Sequence, residues 1–135
     1  MSDDLITELQ QRVRDLEDRL YTLTVSVAYR EDQPYFAEVS RSMLSSEDRS
    51  VLGLVMSGIL DRASGQSTMR PPEREHLTHP ALDKAFSPGP ITYHEAVQIV
   101  SMLVGSEESA SRIIEAHRLQ GFGEEAHRHL TASSA

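Results

Sequence analysis

Two short segments carry the residue types that bind metals or move protons. EREHLTH holds Glu73, Glu75, His76 and His79, and histidines three apart on a helix would bring two imidazoles onto one turn. A metal centre needs three or four ligands in defined geometry. This segment follows two prolines and offers no obvious fourth group, so it reads as a solvated loop. EEAHRHL holds Glu124, His127 and His129, and Glu-x-x-His is the spacing of helical carboxylate metal sites. Those sites draw further ligands from other helices, and the simpler reading is a polar C-terminal helix with cations near its negative end. His94 stands beside Glu95, whose presence helix capping explains. His117 lies on an apolar stripe and reads as an edge-of-core histidine. No metal site and no cofactor is expected.

Nucleophilic chemistry finds no support either. There is no cysteine, which excludes disulfides, thiolate ligands and cysteine nucleophiles. A Gly-x-Ser-x-Gly elbow, a phosphate-binding glycine loop and a dinucleotide fingerprint are all absent. The expectation is a protein that is not an enzyme and works by contact.

The elements that would position such residues are helical. The chain has 135 residues, 39% of them hydrophobic, with three Phe, four Tyr and no Trp, so its core must be aliphatic. Ile6, Leu9, Val13, Leu16, Leu20, Leu23 and Val27 alternate steps of three and four, a heptad stripe. Ile6, Val13, Leu20 and Val27 take position a, and Leu9, Leu16 and Leu23 position d. A β-branched majority at a with Leu at d favours two parallel strands. Arg12 at g and Glu17 at the following e form the charge pair that meets between parallel chains. The same stripe would also serve a helix folding back onto its own domain. Residues 21–29, YTLTVSVAY, alternate with period two and so compete as a strand, but the unbroken heptad predicts helix over 3–29.

Further helices are expected over 35–44, with Phe36, Val39, Met43 and Leu44 on one face, and over 47–63, where VLGLVMSGIL is apolar nearly all round and should be central. Gly53, Ser57 and Gly58 would admit a close neighbour to the latter. Thr92 and Glu95 make a capping box that starts a helix at Tyr93. Gly105 ends it, Ser106 caps the next to about Leu119, and a short helix follows before a frayed tail. The expected fold is all-α: an N-terminal dimerisation helix (1–30), central helices (31–65), an irregular connector (66–90) and a C-terminal helical hairpin (91–135).

That hairpin raises the alternative of a dimeric helix-turn-helix DNA-binding regulator using residues 91–121. Arg112, Arg118 and Arg128 would then touch phosphates. Three features disfavour it. The leading residues of the second helix are Glu107 and Glu108, which repel phosphate. Of the two apolar positions the motif expects after Gly105, Ser111 fails and Ile114 fits. The net charge of −8 splits into −5 over 1–65 (7 Arg against 12 acids) and −3 over 66–135 (6 basic against 9 acidic), so neither half is basic.

The N-terminus opens with acids rather than a basic and apolar leader, and no window reaches the ~20 apolar residues of a membrane helix. A cytoplasmic location is expected. Twelve Arg against the single Lys84, with no Asn, suggest a GC-rich bacterial or phage genome. The function expected is that of a small homodimeric protein–protein interaction module, an adaptor, regulator or inhibitor whose partners are a second copy of itself and another protein.

Overall fold

A computed structural model of the protein describes residues 3–28 (side chains to Thr24), 33–67 and 69–133. Among these the chain is all-helical, without strands. The helices are α1 (Asp3–Ala28), α2 (Pro34–Arg41), α3 (Ser46–Ala63), α4 (Pro80–Ala85), α5 (Tyr93–Val104), α6 (Glu107–Leu119) and α7 (Glu124–Ala132). One 3₁₀ turn, Pro72–Arg74, interrupts the segment between α3 and α4.

The hydrophobic heptad prevails over the β-branched alternation, and α1 stays helical through Ala28. The expected final residue, Tyr29, lies outside the described residues. At about 1.5 Å per residue the helix is about 39 Å long. Its two leading aspartates, Asp3 and Asp4, complement the positive helix end.

The centre of the molecule is α3. Val51, Leu52, Val55, Met56 and Ile59 are almost wholly buried, against α4, α5 and α7. Ser45 caps this helix by accepting from the Asp48 amide at 3.1 Å. Of the three small residues, only Gly58 meets a close neighbour. A Cβ there would lie 3.0 Å from the Ala85 carbonyl oxygen and 3.2 Å from Phe86 Cε2, so α4 reaches α3 because this side chain is missing. Gly53 has nothing within 4 Å, and Ser57 is exposed.

Ala81, Leu82 and Ala85 of α4 are buried, so the second half of the 66–90 segment belongs to the core rather than to a connector. His79 makes α4 start: its Nδ1 accepts from the Ala81 amide at 3.0 Å. The SPGP break beyond α4 is held by Arg62, whose guanidinium donates to the carbonyls of Lys84 (2.8 Å), Gly89 (3.0 Å) and Pro90 (3.0 Å).

The Thr92–Glu95 capping box is present in full, and Gly105 closes α5 at φ 91°. Then α6 returns along α5 and also packs on α2, while α7 packs on α3 through Leu130. One apolar core therefore runs through the central helices and the hairpin alike.

At α2 the structure departs from the expected 35–44. The helix ends at Arg41, Met43 turns left-handed at φ 58° and is exposed, and Phe36 is partly exposed. Tyr35, Ala37, Val39, Ser40 and Leu44 are the residues buried here. The chain reverses at Ser42 and Met43 so that Leu44 can enter the core, which takes Met43 off the packed face.

Candidate interaction surface

The apolar stripe of α1 faces solvent. Its described members range from 38% (Ile6) to 65% (Leu20) exposed, with Leu9, Val13, Leu16 and Leu23 between. Burying such side chains is worth roughly 1.5–3 kcal/mol each, so a row of six left in water is unusual for a helix with its own core nearby. Ile6, Leu9 and Val13 line a shallow apolar groove along this face. Val27 continues the helix, but its side chain lies outside the described residues.

The helix touches its own body through other positions. Asp18, Tyr21 and Thr22 occupy heptad positions f, b and c, opposite the a/d row. Thr22 is the one buried residue of α1 among those described. Arg49 of α3 gathers this contact. Its Nη2 donates to Asp18 Oδ1 and to Ser46 Oγ, both at 2.9 Å, its Nη1 donates to the Leu44 carbonyl at 3.0 Å, and its guanidinium lies 5.2 Å from the Tyr21 ring centre. The outer face is thereby fixed to the body while the a/d face is left open.

Arg12 and Glu17 flank the open row, both exposed. Arg12 Nη2 donates to Glu8 Oε1 at 3.0 Å, an i,i+4 pair on an exposed helix face and so a weak one.

The arginines considered for nucleic acid are placed differently. Arg112 donates to Glu108 Oε1 at 2.9 Å and stands 3.9 Å from Glu38 Oε2. Arg118 Nε donates to Glu115 Oε2 at 3.0 Å, and this bond holds the Glu115 carboxyl below its usual range. Arg128 is exposed on α7, and Glu107 and Glu108 are exposed at the start of α6. Two of the three cations are thus already paired with carboxylates.

The histidines divide sharply. His76, His94 and His129 are exposed, and His79 is spent as a helix cap. His127 is 1% exposed and His117 9%, and His117 Nδ1 lies 2.8 Å from His127 Nε2. Tyr35 meets His117 edge-on at 4.8 Å between ring centres, and Phe122 packs at 5.0 Å. Burial drives the His117 imidazolium down to about 4, with His127 adding to the effect, and it lowers His127 as well. Burial also pushes the Tyr35 phenol above its ordinary value.

His127 was legible only as a polar residue of a C-terminal helix. Its place inside the protein follows from Leu130, three residues on, which turns the same face of α7 into the core. Among the described residues no group of three His, Asp or Glu side chains is arranged to hold a metal ion, and no helix is long and apolar enough to cross a membrane. No family model, curated protein or solved structure matches this chain.

Proposed function

We propose that this protein is a homodimeric protein–protein interaction module in which α1 pairs in parallel with α1 of a second copy and the helical bodies are displayed to another protein. The observation that carries the reading is the division of α1 into two faces. Its a/d row, Ile6 to Leu23, stays in water, while its opposite positions, Asp18, Tyr21 and Thr22, hold the body. A second copy can cover this row while the contacts of Asp18 and Tyr21 with Arg49 stay in place. The choice of occupant rests on the a and d residue types and on Arg12 and Glu17, which are complementary between parallel copies. The adaptor, regulator or inhibitor role, the cytoplasmic setting and the bacterial or phage origin belong to the same proposal.

DNA binding through the hairpin has less support, because phosphate would have to displace Glu108 and Glu38 from Arg112 and Glu115 from Arg118.

The chain lacks cysteine, so one introduced thiol reports on one position. Leu9→Cys should form a disulfide dimer in high yield under mild oxidation, since a d position near one end of the row meets its own copy only in a parallel, in-register pair. Leu16→Asp should give a monomer by light scattering. A Leu16→Asp protein that remains a full-strength dimer would sink the proposal.

A further inference from the structure

The α6–α7 corner grips the start of α2. Gln33 offers α2 no side-chain cap. In its place Gln120 Oε1 accepts from the amides of Tyr35 at 2.7 Å and Phe36 at 3.4 Å. The rings of His117 and Phe122 close on the Tyr35 ring from the same corner, and His127 packs behind His117. Within the corner, His117 Nδ1 and His127 Nε2 lie at hydrogen-bond distance, 2.8 Å.

Two imidazoles sharing one hydrogen bond respond to protons in two steps. In the neutral pair one ring donates and the other accepts across the shared nitrogens. A first proton enters at the outer nitrogen of the donor ring and leaves the bond in place, now charge-assisted. A second proton must enter at the acceptor's shared nitrogen. Two N–H groups then face each other at hydrogen-bond distance between two cations, in a site walled by aromatic rings.

We propose that the His117–His127 pair is an acid-operated latch: uptake of the second proton parts the two rings, and the corner lets go of α2 and of the α1 helix that packs on it. The groups around the latch are few. From α2 it faces the Tyr35 phenol, which stays neutral through the acid range; Glu38, one turn on, is engaged by Arg41 and Arg112. From α6 come Glu115 and Arg118, bound to each other, with Glu115 acting against the cost of charging His127 and Arg118 adding to it. From α7, Glu124 acts on Arg118. From α3 the corner meets Leu60, whose Cδ1 lies 3.4 Å from where a Gly123 Cβ would stand. Among the described residues no carboxylate is hydrogen-bonded to either imidazole, so the doubly charged state has only the distant Glu115 in its favour. The latch depends on the body alone and stands apart from the pairing of α1.

The test is an NMR titration of the full-length labelled protein from pH 7.5 to 3.5, following both imidazoles, with hydrogen exchange read at the Tyr35 and Phe36 amides. The expected result is two coupled proton uptakes, both below the ordinary histidine range. Exchange at Tyr35 and Phe36 should rise at least tenfold with the second uptake while the amides of α3 and α5 stay protected. His127→Gln, which can keep a hydrogen bond to His117 without titrating, should hold α2 closed through the same range. The latch is overturned if the two rings titrate independently near their ordinary value. It is equally overturned if α3 loses protection at the same pH as α2, or if His127→Gln opens where the natural protein does. Should that variant fail to fold, the exchange and titration data on the natural protein still decide between these outcomes.

Discussion

Gln120 Oε1 accepts a hydrogen bond from the Tyr35 amide at 2.7 Å, capping a helix whose first amide lies 85 residues earlier in the chain. A helix cap is ordinarily local, a Ser, Thr, Asp or Asn at the position before the first turn. Here the orphan amides of α2 are satisfied by a side chain that arrives from the end of α6. This makes the α2–α6 contact specific as well as apolar.

Removing that acceptor should cost what a lost cap costs. Gln120→Ala is expected to lower stability by about 1 kcal/mol, read as a shift in the urea midpoint at fixed protomer concentration. Gln120→Glu should retain the cap, since a carboxylate accepts from the same amides and favours a positive helix end. An Ala variant as stable as the natural protein would mean that water or Gln33 caps α2 equally well.

The two glycines of α3 should respond to alanine with opposite signs. Gly53→Ala adds a methyl to open helix surface and is expected to stabilise by about 0.5–1 kcal/mol through helix propensity and chain entropy. Gly58→Ala places its Cβ 3.0 Å from a backbone carbonyl that cannot turn away, and should destabilise by about 1–3 kcal/mol as α4 is pushed off α3. Thermal melts of the two variants side by side give the signs directly; a stabilising Gly58→Ala would mean that α4 is not seated as described.

Charge at the edge of the α1 row should set the strength of the proposed pairing. Glu17→Arg puts like charges opposite each other at two symmetric places and is expected to weaken the dimer by about 1–2 kcal/mol, on the order of tenfold in Kd. Combining it with Arg12→Glu restores opposite charge and should recover most of the affinity in sedimentation equilibrium at low salt. If the double variant is no tighter than the single one, the parallel register is wrong.

Stability should fall as pH drops from about 6.5 toward 4. The folded state holds His117 at about 4, below the ordinary 6.5, so the unfolded chain binds a proton first. The neutral histidine's contribution is complete above 6.5 and is lost as pH falls through that window. A shift of this size corresponds to an upper bound of about 3 kcal/mol, reduced toward 1–2 kcal/mol by solvent at the edge of the cluster. Urea unfolding at pH 7.5 and 4.5 should show this loss in the natural protein and a smaller one in His117→Gln. Equal losses in both would assign the acid sensitivity to carboxylates instead.

Much of the fold is legible along the chain because it is written in local terms. Thr92 and Glu95 are three apart, and that spacing alone builds the capping box that starts α5. Gly105 and Ser106 end one helix and begin the next for equally local reasons. The Ile6-to-Val27 heptad overrides the β-branched residues of 21–28 because hydrophobic periodicity outweighs single-residue propensity. Glu108 and Glu115, each within a turn of an arginine on α6, pair with it for the same local reason.

Other features depend on residues distant in sequence, and no spacing announces them. Arg62 as the clamp on residues 84–90 and Gln120 as the acceptor for α2 each needed the partner's position in space. His117 and His127 lie ten residues apart on different helices, and only the α6–α7 turn sets their nitrogens 2.8 Å apart. The sequence by itself determined the helices other than α4 and the apolar row of α1, since caps and periodicity act within a few residues. The tertiary structure decided that this row is left uncovered by the body and that two polar rings are enclosed, because burial is settled by which surfaces pack together.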